Sequence, residues 1–529
     1  MRRDKKTPRG SCKGSYGGKG YREKNYGENC REYQERLTYY RSVLQEKPVY
    51  KKAVDSCMEN KEKECQETVI LSMGVENAGN GISHQRVREE VFLHVWLPVL
   101  TEYVEWVLDE AVKSGKERLY FLARDGYMMY LMAKKIVEAR GIALDIRYLK
   151  LSRFAIRSAE YYFAGKAALD TLCTGGIDIS FEKIMKRANL TKAEVLHIAK
   201  LAGYTKNYKA VLNYQQLCRL KKELAQIEPL FVYLQKHAKD HYHTAIAYLK
   251  QEGLLEQTPY ALVDSGWTGS LQLSLQRVLE HGSGKKVRLE GYYFGLYDRP
   301  EGTESRQYRT FYFDKKEVRR KVSFSNCLFE TVFSAPEGMT CGYRISGQRQ
   351  AKTVYEAIED GRNPNAEVLE HFARLLMQYV SYYVKVRNAK VRNIKARNVK
   401  VRNVKIRNVK DTEKMSNRQE INFFTEKLFK PMMGYPTRWE AEAFGRMLFC
   451  DDVLELQLQP VAVKWDKEEL CKQRFFQKLL IKANLKANVL HESAWTEGSI
   501  VRSGKKTESL LWQERLYKSL MYLRKAVNR

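Results

Sequence analysis

The stretch Pro259 to Leu279, PYALVDSGWTGSLQLSLQRVL, joins a short apolar run to apolar residues at helical spacing through an abrupt polar turn. A buried strand over Tyr260 to Val263, followed by a helix with Leu271, Leu275, Val278 and Leu279 on one face, makes the strand–turn–helix unit from which parallel sheets are assembled. The turn therefore sits at a strand's carboxyl end. Gly266 and Gly269 let the backbone approach a ligand, and Thr268 and Ser270 place hydroxyls beside helix-start amides that have no partner within the helix. That combination suits an anion. Asp264 does not suit a bare phosphate; it suits sugar hydroxyls, a cation or a protonated group. Trp267 fits either a ring that stacks on a sugar or base, or a core residue. An ordinary capped turn, with the glycines for geometry and Thr268 as N-cap, fits the same spacing.

The pattern recurs in ERLYFLARDGYMMYLMAKKIVEARG, where Leu119 to Leu122 reads as a strand, Tyr127 to Ala139 as a helix, and Arg124, Asp125 and Gly126 as the turn. A third strand, Leu144 to Leu149, leads into Ser152, Arg153 and Arg157. Ligands of open parallel sheets collect outside the carboxyl ends of the strands, and three such ends here carry polar residues. In one cleft, Arg124, Arg153 and Arg157 would neutralise phosphate, while the amides of Gly266 to Ser270 would cradle it. Ser152 and Ser265 add hydroxyls, and Asp125 with Asp264 would take ligand hydroxyls or a Mg²⁺ ion. Arg124 and Asp125 can equally satisfy one another as an internal pair. Further strands at Arg288 to Tyr297 and Arg309 to Asp314 bring the sheet to five or more.

The expected architecture is α/β: a mainly parallel sheet flanked by helices over residues 85–345, a helical insert at 165–256 acting as a lid, and a mostly helical region at 350–529. Residues 1–80, rich in Gly, Lys, Arg and Tyr with little periodicity, read as a basic disordered tail. The formal charge of +30 suggests nucleic acid or an anionic membrane until it is located. About eleven of those charges belong to a Lys-x-Arg-Asn-x unit repeated through 385–410. Five residues rotate a helix by about 500°, so successive units cannot share an apolar face. The repeat is expected to be a solvated loop or helix extension, dispensable to the core, rather than a nucleic-acid arm. The ten cysteines include no Cys-x-x-Cys pair, and His197, His237, His241 and His243 lack partnered carboxylates, so neither a disulfide framework nor a zinc site is indicated. No run of eighteen apolar residues occurs. A cytoplasmic protein follows, with peripheral membrane contact through its basic surface as a secondary option.

The phrases EYVEWVLDEAVKSGKERLYFLARDGYMMY, IRYLKLSRFAIRS, YALVDSGWTGSLQLSLQRVL, GYYFGLY, ETVFSAPEGMTCGY and HESAWTEGSI, in that order, resemble the large bacterial polysaccharide-biosynthesis proteins described as predicted HAD-superfamily hydrolases. The resemblance is strongest over residues 85–345 and implies a role in surface-polysaccharide biosynthesis alongside other proteins of that process. HAD catalysis needs an Asp-x-Asp pair after a strand, and the chain has none in that setting, so phosphatase activity is not expected. Asp451 and Asp452 read as a helix-start cap. Val263-Asp264 followed by Thr268-Gly269-Ser270 is also similar in order to phosphoribosyltransferases, which implies a transferase site with Arg124 to Gly126 at the pyrophosphate position. The rival reading is a non-catalytic assembly factor, recruited through its basic surface, in which the same polar turns hold domains together.

Overall fold

Successive side chains of a strand point to opposite faces, and along β1 (Arg118–Leu122) this alternation assigns Leu119 and Phe121 to one core and Tyr120 and Leu122 to another. The same division continues in β3 (Tyr260–Trp267), with Ala261 and Val263 on the first side and Leu262 on the second. Burial on both faces is the condition for a parallel sheet. With β2 (Asp145–Leu149), β4 (Gly291–Leu296) and β5 (Tyr308–Phe313), these strands form a five-stranded, all-parallel sheet in the order β2-β1-β3-β4-β5. The fold is thus α/β. The structure is a computed structural model that describes residues 18–71, 83–176, 179–355, 361–400, 413–449, 458–483, 485–486, 490–504 and 507–527.

The expected disordered tail is corrected over its described part, where Gly18–Leu44 (α1) and Pro48–Leu71 (α2) are helices. Tyr33, Leu37, Tyr40 and Leu44 recur at helical spacing and are buried, as are Ala53, Val54 and Cys57. Tyrosine carries much of this face, which hid it in a polar composition. Each buried hydroxyl has an acidic partner: Tyr33 donates to Glu90 at 2.8 Å and Tyr40 to Glu440 at 2.6 Å. The next helical run, His84–Lys113 (α3), is the one stretch among the described residues long and apolar enough to cross a membrane, and it is largely buried in the core. It contains a π-helical turn at Phe92–Trp96, immediately before Pro98.

Helix α4 (Gly126–Arg140) follows β1, and α5 (Arg153–Ala164) follows β2. The insert packs around its own small core and includes α6 (Phe181–Arg187) and α7 (Glu228–Gln251), as well as the capping box read at Thr191 and Glu194. Helix α8 (Ser270–Ser283) follows β3, and α9 (Asn326–Phe333) lies beyond β5. In the carboxyl-terminal region, α10 (Ala366–Lys400) runs into the repeat. Through Lys400 the repeat is the helix extension expected, and its first unit is docked. Arg387 pairs with Glu105 of α3, and the Asn388 amide donates to the Ala139 carbonyl at 3.4 Å. The later units at 401–410, the basic residues 1–17, and Asp451 and Asp452 lie outside the described residues. Toward the carboxyl end lie the helices α11 (Phe475–Lys482) and α12 (Thr507–Val527).

Candidate functional site

The strand order reverses between β1 and β3, and the helices that follow them diverge. Met128, Met129 and Met132 of α4 pack on one face of the sheet, while Leu275, Val278 and Leu279 of α8 pack on the other. A crevice opens at such a switch point. Register sets its depth: Phe121 pairs with Val263, so β1 ends at Leu122 and Ala123 to Asp125 leave the sheet beside Asp264 to Trp267, the end of β3. The cavity there measures about 500 Å³, is lined by all the candidate residues except Gly126, and is the size of a small-ligand site.

The turn after β3 differs from the loop expected. The strand runs on to Trp267, pairing Asp264 with Tyr293 and Gly266 with Gly295 of β4, so only Thr268 and Gly269 separate it from α8. Gly266, Trp267 and Gly269 all have positive φ, at 115°, 78° and 64°. A side chain at Gly266 would put its Cβ 2.3 Å from the Gly295 carbonyl oxygen, which explains glycine there. Gly269, not Thr268, is the N-cap of α8, and no side chain caps this helix. Instead Thr268 and Ser270 share a hydrogen bond of 3.1 Å, and Ser270 accepts from Arg157 Nη2 at 3.0 Å.

Two carboxylates form one wall. Ser265 donates to Asp125 Oδ2 at 2.5 Å, while the Arg124 side chain makes no hydrogen bond or salt bridge among the described residues, so the alternative of an internal Arg124–Asp125 pair is not formed. Burial raises the Asp125 carboxyl above its ordinary value, opposed by Ser265 and by the positive charges of Arg124 and Arg153. Burial, and next the charge of Asp125, push Asp264 up to about 7, although the amides of Ser265 and Gly266 oppose this. A second, basic wall is lined by Arg153 and Arg157 of α5 and by Arg187 at the end of α6, with the Arg153 charge acting on both carboxyls. Burial lowers the Arg157 guanidinium to about 10, with Arg153 and Arg187 adding repulsion. Its Nε is buried without a hydrogen-bond partner among the described residues.

Three candidates serve structure instead. Gly126 lies outside the cavity, and a Cβ there would come within 3.0 Å of the Phe121 backbone, so it brings α4 against β1. The Ser152 hydroxyl caps α5, accepting from Ala155 N at 3.0 Å, and donates to the Thr340 carbonyl at 2.5 Å. Trp267 borders the cavity but is core, among Phe313, Phe324 and Phe329, with its indole N–H donated to Glu330. Stacking on a ligand is therefore withdrawn. Sequence reasoning missed Arg187, Glu330, Tyr522 and Lys525, all on the cavity wall. Arg187 had no signal beyond its place in a suspected lid, and Tyr522 and Lys525 arrive from α12, more than 250 residues along the chain from Asp264.

No group of three or more His, Cys, Asp or Glu side chains is arranged to hold a metal among the described residues. Asp125 and Asp264 offer two carboxylates, a set that Mg²⁺ uses when ligand phosphate completes its shell. His237 is paired with Glu194 at 2.7 Å, and His197 and His241 contact Tyr233 and Asn189. No family model matches the chain, and no curated protein matches it.

Proposed function

We propose that this cavity binds a phosphorylated sugar or nucleotide, with the phosphate on Arg157, Arg153, Arg187 and the α8 amides and the ligand hydroxyls on Asp125 and Asp264. The observation that carries the reading is that a basic wall, an uncapped helix start and two buried carboxyls, both raised above their ordinary value, line one cavity at the switch point of a parallel sheet. Mg²⁺ bridging the carboxylates and the phosphate fits the same donors. The phrases shared with HAD-associated polysaccharide-biosynthesis proteins support a cytoplasmic role in surface-polysaccharide assembly, alongside other proteins of that process. A phosphoribosyltransferase-like site draws less support, because two residues between β3 and α8 leave little loop to wrap a 5′-phosphate.

Thermal unfolding with a panel of sugar phosphates, nucleotides, nucleotide sugars and phosphoribosyl pyrophosphate tests the reading. A ligand at a hundred times its Kd stabilises the fold by about 2.7 kcal/mol. At least one class should raise Tm in proportion to the logarithm of its concentration. A flat response across the panel would favour the assembly factor.

A further inference from the structure

The exposed apolar residues are unevenly distributed. Of 19 large hydrophobic side chains standing exposed among the described residues, eight fall between residues 476 and 527. Phe476 is 74 % exposed and Leu485 76 %, with Leu479 and Leu480 between them. On the adjoining helix, Trp512, Leu520, Leu523 and Val527 are exposed, and the half-buried Leu516 completes a stripe at helical spacing. The buried ion pair of Lys478 with Glu514 at 2.6 Å, and the bond from Phe475 N to Gln513 Oε1 at 3.0 Å, hold α11 against α12 beside Trp512.

Charge says what this surface meets. No Asp or Glu occurs from Gln473 to His491, whereas Arg474, Lys482 and Lys486 are exposed around the apolar residues. Leucine and aromatic side chains flanked by exposed Arg474 and Lys486, with Lys482 paired to Glu492, match the boundary between acyl chains and anionic headgroups. A second copy of this chain would bring the same positive charge against it.

We propose that α11, with Trp512 at its flank, seats the protein on an anionic bilayer surface: Phe476, Leu479 and Leu480 enter the headgroup–acyl boundary, and Arg474 and Lys486 meet lipid phosphates. The inference is independent of the ligand reading, since these side chains lie outside the cavity.

The test is cosedimentation of the full chain with vesicles of phosphatidylcholine alone or with added phosphatidylglycerol, at low and high salt. Binding is expected only to the anionic vesicles and should weaken with salt. Phe476→Ser combined with Leu479→Ser should lower the partition about tenfold or more, and Lys486→Glu about fivefold, both at unchanged Tm. Should the double variant unfold, Lys486→Glu decides. Absence of binding to anionic vesicles overturns the proposal. So does binding unaltered by these variants but lost on removing residues 401–410, or a wild-type dimer that Phe476→Ser converts to a monomer.

Discussion

The acidic and basic walls of the cavity are built differently. Asp264 stands on sheet backbone, paired with Tyr293, and Asp125, at the start of α4, is tied to the same strand by the hydrogen bond it accepts from Ser265. Arg153, Arg157 and Arg187 reach in from α5 and from the insert, on long side chains. Each wall repels itself: Asp264 is pushed toward its neutral form by burial and by Asp125, and Arg157 is pushed the same way by burial and its neighbouring arginines. Gathering like charges around a buried cavity costs folding energy, and such costs concentrate at functional sites. Under the proposed function, the rigid wall would fix geometry and the side-chain wall would supply most of the affinity for an anion.

The largest effect comes from breaking the rigid wall. Gly266→Val places a Cβ against the Gly295 carbonyl at a φ of 115°, so about 3 kcal/mol or more of stability should be lost in denaturant unfolding. A variant that unfolds like wild type would show that β3 and β4 can separate at this point. In the other wall, Arg157→Ala should weaken a phosphorylated ligand roughly ten- to a hundredfold by calorimetry, as expected for losing a charge-assisted contact. Stability should change far less than in the glycine variant, since the Arg157 side chain makes a single hydrogen bond among the described residues, to Ser270. Equal losses of stability and affinity would recast Arg157 as a structural strut.

Asp264→Asn sharpens the contrast through pH. A carboxyl held at about 7 in the fold, against an ordinary 3.8, keeps a proton that the unfolded chain releases, so its contribution to stability is lost as pH rises from about 4 to 7. Relative to the Asn variant, wild type should therefore lose about 1 to 3 kcal/mol between pH 4 and pH 8. Parallel pH profiles for the two proteins would mean that Asp264 ionises normally. The smallest effect expected is about threefold in affinity for Thr268→Val, which removes a neutral hydroxyl from the chain linking Thr268, Ser270 and Arg157. A larger loss would place Thr268 directly on the phosphate.

Much of the sheet was legible because its strands carry local signals: short apolar runs, each ending in polar residues before a helical stripe. The two turns of the switch point could be named from those signals, and parallel strands bring them to one edge. What could not be read is tertiary. Whether Trp267 faces ligand or core depends on Phe313, Phe324 and Phe329, whose proximity no local pattern encodes. Arg187 and Lys525 reach the cavity through the packing of distant helices. The amino-terminal helices were hidden because tyrosines with buried acidic partners stand where periodicity looks for leucine.

The central claim is that one ligand touches both walls, and calorimetric titration of a matched series tests it most directly. The series comprises the sugar phosphate or nucleotide that shifts Tm most, its dephosphorylated form, and inorganic phosphate. The two-walled cavity predicts that the intact ligand binds at least about tenfold more tightly than either fragment, a difference of about 1.4 kcal/mol. Inorganic phosphate binding as tightly as the intact ligand, or the dephosphorylated form doing so, would leave one wall without a role and contradict the account.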